Sequence, residues 1–210
     1  MEKKQGIKYI GIAGNIGAGK TTLCEQLGKH FGWEVHYEST DDNPYLSDFY
    51  HDMSRWSFNL QVYFLHNRYK QILKILAGDK VVVQDRTIYE DANIFAPNLH
   101  EMGLMSKRDF ENYSELFKLM ISQVQAPDLL IYLKASVPTL VDHIHSRGRD
   151  YEGSMSIEYL KRLNAMYEDW IANYKGKLLV INSDDIDFKN NPEDMGMIID
   201  KVQSELYGLF

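Results

Sequence analysis

The chain has 210 residues, of which 44% are apolar and 25% are charged, and its formal net charge is −7. These values are typical of a globular protein that buries a core without disulfides, and Cys24, the only cysteine, excludes a disulfide framework. The acidic balance argues against a nucleic-acid-binding surface, and no apolar run is long enough to span a membrane. The length predicts one domain over residues 1–210, and because no signal-peptide h-region precedes the first strand we expect it to be cytoplasmic.

The first predicted element is a strand over 8–14, which leads into a glycine-rich loop. Gly14–Thr21 fits the phosphate-binding P-loop pattern G-x-x-x-x-G-K-[ST]. In this pattern backbone N–H groups point at an anion, Lys20 reaches the β- and γ-phosphates, and Thr21 is placed to hold Mg²⁺. A plain glycine-rich turn is the alternative, but a predicted helix over 21–31 turns its positive end towards the same phosphates and favours the P-loop.

The later elements alternate between short apolar runs and helical patterns. The predicted strands cover 34–38, 80–85, 129–133 and 177–181, and the predicted helices cover 55–77, 106–125, 138–147 and 155–174. This alternation predicts an α/β fold of the P-loop NTPase type, with a parallel five-stranded sheet and helices on both faces. Because such sheets bind ligands beyond the carboxyl ends of their strands, Gly14, Glu38, Asp85 and Arg86 are expected to gather at one site.

Two carboxylates at predicted strand ends are candidates for phosphoryl transfer. Glu38 would act as a general base on an acceptor hydroxyl, and the alternative is a solvated carboxylate beside a turn. Asp85 would help to hold Mg²⁺, as an acidic residue of the Walker-B type does, and the alternative is a strand-end ion pair with Arg86.

An arginine pair follows the predicted helix over 138–147. Arg147 and Arg149 flank Gly148, which is typical of a helix C-cap between solvated charges. The functional alternative is a lid over about 147–155 that closes two guanidinium groups onto the transferred phosphoryl group.

One face of the helix over 55–77 mixes aromatic, aliphatic and polar residues. Gln61, Phe64 and Arg68 lie on this stripe, and the two polar side chains need partners if they are buried. Asp91 and Phe95 lie at i and i+4 of a further helix predicted after Arg86; Asp91 is a candidate partner for the arginine of the stripe, and Phe95 offers a ring for stacking. A planar, hydrogen-bonding ligand such as a nucleobase would suit this arrangement.

In combination these motifs resemble the deoxynucleoside kinase family, and the resemblance covers nearly the whole chain. It rests on Gly14-Asn15-Ile16-Gly17-Ala18-Gly19-Lys20-Thr21-Thr22, Asp85-Arg86-Thr87, the Tyr50-x5-Trp-Ser-Phe-x-x-Gln61 frame and Arg147-x-Arg149. The stretch 41–44 looks like the bacterial deoxyadenosine/deoxyguanosine kinase branch. The resemblance implies transfer of the ATP γ-phosphate to the 5′-hydroxyl of a deoxynucleoside in nucleotide salvage, with deoxyadenosine ahead of deoxyguanosine, and a homodimer.

The resemblance also implies roles for individual residues on the donor side. The ATP-binding set is Gly14, Asn15, Ile16, Gly17, Ala18, Gly19, Lys20, Thr21, Thr22, Arg147, Asp187 and Phe188. Thr21 and Asp85 are expected to hold Mg²⁺, the latter through water because it is shorter than the family's usual glutamate. His143 stands where some members have an arginine that stacks on the donor adenine.

On the acceptor side the implied substrate-binding set is Glu38, Tyr50, Gln61, Phe64, Arg68, Arg86, Asp91, Phe95 and Glu152. Glu38 is the implied base, Tyr50 and Glu152 meet the sugar 3′-hydroxyl, and Lys20 and Arg86 with the lid arginines Arg147 and Arg149 stabilise the transferred charge. Asn43 stands where several animal members have a tryptophan.

Two other functions fit a P-loop. A nucleoside monophosphate kinase of the thymidylate kinase type binds a dianionic acceptor, which Glu38 would repel. A regulatory GTPase usually carries N-K-x-D for guanine, and no Asn of this chain precedes a Lys. Both therefore rank below a deoxynucleoside kinase.

Overall fold

The computed structural model describes residues 6–38, 43–149 and 156–208. In these ranges a single sheet has five parallel strands in the order β2–β3–β1–β4–β5. The strands are β1 (Tyr9–Gly14), β2 (Glu34–His36), β3 (Val82–Asp85), β4 (Leu129–Lys134) and β5 (Leu178–Asn182). β1, β3 and nearly all of β4 are buried, as expected for a parallel sheet covered on both faces. The predicted α/β fold is confirmed.

Helices fill the connections between the strands. They are α1 (Lys20–Phe31), α2 (Leu46–His51), α3 (Met53–Ala77), α4 (Ile88–Glu90), a π-helical turn (Asp91–Phe95), α5 (Ala96–Glu101), α6 (Lys107–Ile121), α7 (Val137–Arg147), α8 (Ile157–Ala172) and α9 (Pro192–Tyr207). Within these ranges no helix combines the length and the apolar composition that a membrane crossing requires.

Most predicted bounds agree with the structure, and the exceptions have local causes. The predicted helix over 106–125 ends early, at Ile121, where the Ser122 hydroxyl donates to the Leu119 carbonyl and competes with helix continuation. The strand predicted over 34–38 ends at His36, because its ladder with β3 runs only from Glu34 to His36. Glu38 therefore follows β2 instead of ending it. α2 and α9 are additional helices that were not predicted.

The core lies on both faces of the sheet. Ile10 and Ile12 of β1 pack in one cluster with residues of α1 and α9, whereas Tyr9 packs in a second cluster with residues of α3. A third cluster joins Ala13 to α8. Two of these helices, α1 and α3, begin or pass beside the carboxyl ends of the strands, and they therefore carry side chains into the site described next.

Candidate active site

A cleft of about 810 Å³ opens at the carboxyl ends of the strands. Most sequence-predicted site residues line it: Ile16, Gly17, Gly19, Lys20, Thr21, Thr22, Glu38, Tyr50, Gln61, Phe64, Asp85, Arg86, Asp91, Phe95, Arg147, Arg149, Asp187 and Phe188. Gly14, Asn15, Ala18 and Arg68 stand behind these residues and do not line the cleft. Glu152 and the lid residues 150–155 lie outside the described residues.

The glycine-rich loop has the backbone geometry that its glycines predict. Gly17 and Gly19 have φ values of 85° and 91°, which L side chains rarely adopt. A Cβ on Gly17 would stand 2.7 Å from the Leu140 carbonyl oxygen, and one on Gly19 would stand 3.1 Å from the ring of Phe188. The loop is therefore packed between α7 and the segment after β5, and neither glycine tolerates a side chain without movement.

Lys20 begins α1 and points back across the loop. Its Nζ donates to the Asn15 carbonyl at 2.9 Å, and Asn15 is itself held by a 2.7 Å hydrogen bond to Asn164 of α8. Burial lowers the pKa of Lys20 to about 8, and the charge of Arg86 adds to this effect while the charge of Asp85 opposes it. Binding an anion beside this lysine would favour its charged form.

Thr21 and Asp85 form a small oxygen-rich site. The Thr21 hydroxyl donates to Oδ2 of Asp85 at 2.5 Å, and Oδ1 of Asp85 is buried with no hydrogen-bond partner among the described residues. Burial raises the pKa of Asp85, although the charge of Lys20 opposes this shift. An orphaned carboxylate oxygen beside a hydroxyl suits a hard cation, and Mg²⁺ takes few protein ligands. Among the described residues no group of three His, Cys, Asp or Glu side chains is placed to hold a metal.

Glu38 is the centre of an ion-pair cluster. Its Oε1 atom lies 2.7 Å from Nη2 of Arg68 and 2.9 Å from Nε of Arg86. Burial would raise the pKa of Glu38, but the positive charges of Arg86, Arg68 and Lys20 outweigh it and lower the pKa to about 2. Glu38 is therefore ionised throughout the neutral range. Its side chain is 20% exposed, whereas those of its two arginine partners are 4% exposed.

Arg86 occupies a strained position directly after β3. Its φ of 66° is the only positive value among the described non-glycine residues, and such a conformation costs on the order of 1–3 kcal/mol. The guanidinium lies over the Phe95 ring at 4.5 Å and donates to the Tyr167 hydroxyl at 3.0 Å. The backbone strain and these contacts together aim the charge into the cleft beside Glu38.

The polar stripe of α3 has the partner that the sequence predicted. Nη1 of Arg68 lies 3.1 Å from Oδ2 of Asp91, and its guanidinium lies 4.7 Å from the centre of the Phe64 ring. Burial raises the pKa of Asp91 to about 7, although the charges of Arg68 and Arg86 oppose it. Oε1 of Gln61 is buried, lies on the cleft wall and has no hydrogen-bond partner among the described residues. This amide is available to a ligand.

The arginine pair lies where α7 ends. Gly148 caps the helix in the left-handed conformation, with a φ of 65°, and its N–H donates to the Ile144 carbonyl. Arg147 and Arg149 both line the cleft. Nearby, Nδ1 of His143 lies 2.7 Å from the Gly17 carbonyl oxygen and ties α7 to the glycine-rich loop. The predicted C-cap is therefore present, and it directs the arginine pair towards the site.

Two residues that sequence analysis did not select lie immediately behind the cleft. The Glu90 side chain is fully buried and accepts hydrogen bonds from the Gly14 N–H, the Thr87 N–H and the Tyr167 hydroxyl. Thr87 and Glu90 form a capping box, a local sequence pattern from which the role of Glu90 at the start of α4 could have been predicted. Tyr167 had no such signal, because it is 77 residues from Glu90 in the chain.

Comparison with known proteins decides the family. The sequence model named deoxynucleoside kinase matches residues 10–207. The chain belongs to the deoxynucleoside kinase family. It is 38% identical to the deoxyadenosine/deoxycytidine kinase of Bacillus subtilis (strain 168), with 94% of this chain and 93% of that protein covered. It is 39% identical to the deoxyadenosine kinase of Dictyostelium discoideum, with 91% and 77% covered.

Solved structures of family members have the same fold. Deoxyadenosine kinase from M. mycoides with bound dATP superposes with a TM-score of 0.83 at 28% identity, and the match covers 93% of this chain and 98% of that one. The same enzyme with bound dCTP gives a TM-score of 0.82 at 30% identity, with the same coverage. The predicted family resemblance and the predicted P-loop kinase fold are both confirmed.

Proposed function

We propose that this deoxynucleoside kinase family member transfers the γ-phosphate of ATP to the 5′-hydroxyl of a deoxynucleoside and serves nucleotide salvage. One observation carries the proposal: a single cleft joins the P-loop to the Glu38–Arg86 pair. A phosphate donor held at Lys20 and a hydroxyl held at Glu38 would therefore share one enclosed space. Family membership and the names of the relatives support the same reaction.

On the donor side, the N–H groups of Gly17 and Gly19 and the ammonium of Lys20 would bind the β- and γ-phosphates. Phe188, which packs against the loop, and Asp187 would lie along the donor base. Arg147 and Arg149 would neutralise charge that develops on the transferred group, as a lid over about 147–155 closes. Each of these roles depends on positioning and charge, which is what phosphoryl transfer requires of a protein.

Thr21 and Asp85 fit a Mg²⁺ ion that accompanies ATP, because their oxygens are hard ligands and Oδ1 of Asp85 is buried with no partner in the part of the chain that the structure describes. The ion would supply charge neutralisation on the β- and γ-phosphates. The protein's part is to orient its two oxygens: the Thr21 hydroxyl fixes one carboxylate oxygen of Asp85 and leaves the other available.

On the acceptor side, Glu38 would accept the proton of the 5′-hydroxyl, while Arg86 holds the carboxylate and faces the incoming phosphoryl group. A base with a pKa of about 2 orients the hydroxyl and takes its proton late, when the bond to phosphorus has formed. Tyr50, on the cleft wall, and Glu152, outside the described residues, would meet the 3′-hydroxyl.

The base site favours adenine. The Gln61 amide offers one donor and one acceptor, which matches the bidentate pattern that glutamine makes with adenine, and its Oε1 is without a partner among the described residues. Phe64 and Phe95 provide apolar walls, and Arg68 with Asp91 fixes the rear of the site. Guanine presents two acceptors on the same edge, so we rank deoxyadenosine ahead of deoxyguanosine.

The test is a coupled ADP-release assay with Mg-ATP and each of four deoxynucleosides, adenosine and thymidine monophosphate. We expect ADP with deoxyadenosine and less with adenosine or the monophosphate. ADP with the monophosphate alone would overturn the proposal in favour of a thymidylate kinase type. That rival is disfavoured by Glu38, whose carboxylate stays ionised at neutral pH and repels a dianionic acceptor.

We also propose a homodimer through α3 and α6. Leu73 on α3 and Leu119 on α6 are 44% and 66% exposed, which leaves apolar surface for a second copy. Light scattering should give the mass of two chains, and Leu119→Glu should lower it to one. The cytoplasmic location and the single domain over 1–210 stay predictions from the sequence.

A further inference from the structure

A buried carboxylate and a buried tyrosine connect the P-loop to Arg86. Glu90 accepts from the Thr87 N–H on Oε2 at 2.6 Å, and on Oε1 from the Tyr167 hydroxyl at 2.8 Å and the Gly14 N–H at 3.2 Å. Gly14 ends β1 and opens the P-loop, while Thr87 directly follows Arg86. One side chain therefore holds the backbone at both places.

Among the described residues three donors and no acceptor face Glu90, and only a carboxylate satisfies all three donors. A glutamine at this position would turn an amide NH₂ towards at least one N–H or O–H donor. Nη1 of Arg86, 3.7 Å from Oε1, supplies the opposite charge that a fully buried carboxylate needs. Arg86 therefore serves as the counter-charge of Glu90.

Tyr167 fixes the direction of the Arg86 side chain. Its hydroxyl accepts from Nη1 of Arg86 at 3.0 Å and donates to Glu90 at 2.8 Å. Because a guanidinium only donates and a carboxylate only accepts, the hydroxyl proton has one possible direction. Burial raises the pKa of Tyr167 well above its usual value, although the charge of Arg86 opposes this, so the hydroxyl keeps its proton.

We propose that Glu90 and Tyr167 are positioning residues for phosphoryl transfer, which hold the Arg86 guanidinium and the start of the P-loop in a fixed relation. The inference rests on the proposed function, because Arg86 needs a precise position only if it faces a transferring phosphoryl group. Neither side chain lines the cleft, so each acts through residues that do. A displacement of about 1 Å at such a group can cost on the order of 100-fold in rate.

The first experiment compares Tyr167→Phe with Tyr132→Phe. Both substitutions remove a tyrosine hydroxyl that donates to a glutamate, and the two rings stack with centroids 5.8 Å apart, but the hydroxyl of Tyr132 contacts Glu168 and not Arg86. We expect kcat to fall roughly 10- to 100-fold in Tyr167→Phe, with KM values within about threefold of wild type. Tyr132→Phe should keep wild-type kcat. Equal kcat in the two variants would overturn the inference.

A double-mutant cycle with Arg86→Lys shows whether Tyr167 affects kcat by positioning Arg86 or only by packing in the core. If Tyr167 acts through Arg86, Tyr167→Phe should change kcat by less than about threefold in the Arg86→Lys background. A full additional loss in that background would show that the tyrosine acts by another route. If Tyr167→Phe does not fold, Glu90→Asp enters the same cycle, because it keeps the charge and withdraws the carboxylate by one methylene.

The wild-type enzyme, measured in the same assay, distinguishes a failure of this inference from a failure of the proposed function. Failure of the wild type to release ADP with any deoxynucleoside would overturn the function. An active wild type with an unaffected Tyr167→Phe would overturn only the positioning role.

Discussion

Replacement of Glu38 by glutamine tests the acceptor site most directly. The amide has the shape of the carboxylate and retains an oxygen near Arg68 and Arg86, but it accepts no proton and carries no charge. Glu38→Ala is a poorer choice, because removal of the whole side chain leaves two guanidinium groups, each 4% exposed, facing an empty volume.

Two magnitudes follow from the geometry. Loss of a general base costs on the order of 10²- to 10⁴-fold in kcat. The lowered pKa of Glu38, about 2 against 4.5, corresponds to about 3 kcal/mol of native-state stabilisation at ~1.4 kcal/mol per unit. For a chain of this size that loss lowers Tm by roughly 6–12 °C. Since the pKa of an acid is lowered, this stability is complete above pH 4.5 and is lost as the pH falls towards 2.

The assay combines ADP release at about 20 °C, below the ~45–65 °C at which mesophilic domains usually melt, with direct measurement of ATP binding. We expect Glu38→Gln to lose at least 100-fold in kcat and to bind ATP as the wild type does. It should melt at a lower temperature than the wild type at pH 7, and the difference should shrink to about half at pH 3, which is still above the folded-state pKa of Glu38. Glu34→Gln is the matched control on the preceding strand, since the side chain of Glu34 is 48% exposed and pairs with His36 away from the cleft. A kcat within about threefold of wild type would refute the assignment of Glu38 as base.

Three further predictions concern the P-loop and the base site. Gly17→Ala should weaken ATP binding at least tenfold, because its Cβ would meet the Leu140 carbonyl oxygen at 2.7 Å. The control Gly196→Ala, which has open space around the added Cβ, should bind ATP normally. Equal ATP affinities in the two variants would contradict the packing argument. Since the pKa of Lys20 is about 8 and phosphate binds its charged form, ATP affinity should fall about tenfold between pH 7 and pH 9. An ATP affinity that does not change over this pH range would exclude Lys20 as the phosphate ligand that titrates. Asp91→Asn, which removes a partner of Arg68, should raise KM for deoxyadenosine more than KM for ATP; an equal rise would place its effect outside the base site.

The sequence predicted the parts of the site that lie on local patterns. The P-loop, the strand ends and the stripe of α3 are each readable within about ten residues, and the structure brings them to one cleft. α9 was also readable, because Asn191 caps the helix and Pro192 and Glu193 begin its first turn, as helix starts commonly do. The local sequence therefore contained enough information to predict α9.

The contacts behind the cleft could not be read in this way. The hydrogen bond from Tyr167 to Glu90 joins α8 to α4 across 77 residues, and both side chains are buried among other aromatic and polar residues. A tyrosine on an amphipathic helix predicts core packing and nothing more. Only the tertiary structure shows that the Tyr167 hydroxyl meets Arg86 and Glu90, whereas the hydroxyl of Tyr132, on β4, meets Glu168 of α8.

The balance of buried charges at the strand ends determines how much further positive charge a bound triphosphate would need. The cluster at the strand ends contains three buried or nearly buried cations, Lys20, Arg68 and Arg86, and four carboxylates, Glu38, Asp85, Glu90 and Asp91. Burial raises the pKa of Asp91 to about 7, so partial proton uptake at Asp91 brings the cluster close to neutrality at pH 7. A nearly neutral cluster does not by itself compensate a triphosphate. Under the proposed function Mg²⁺ and the cleft-lining Arg147 and Arg149 would supply further positive charge, so phosphoryl transfer needs these groups in addition to Lys20 and Arg86.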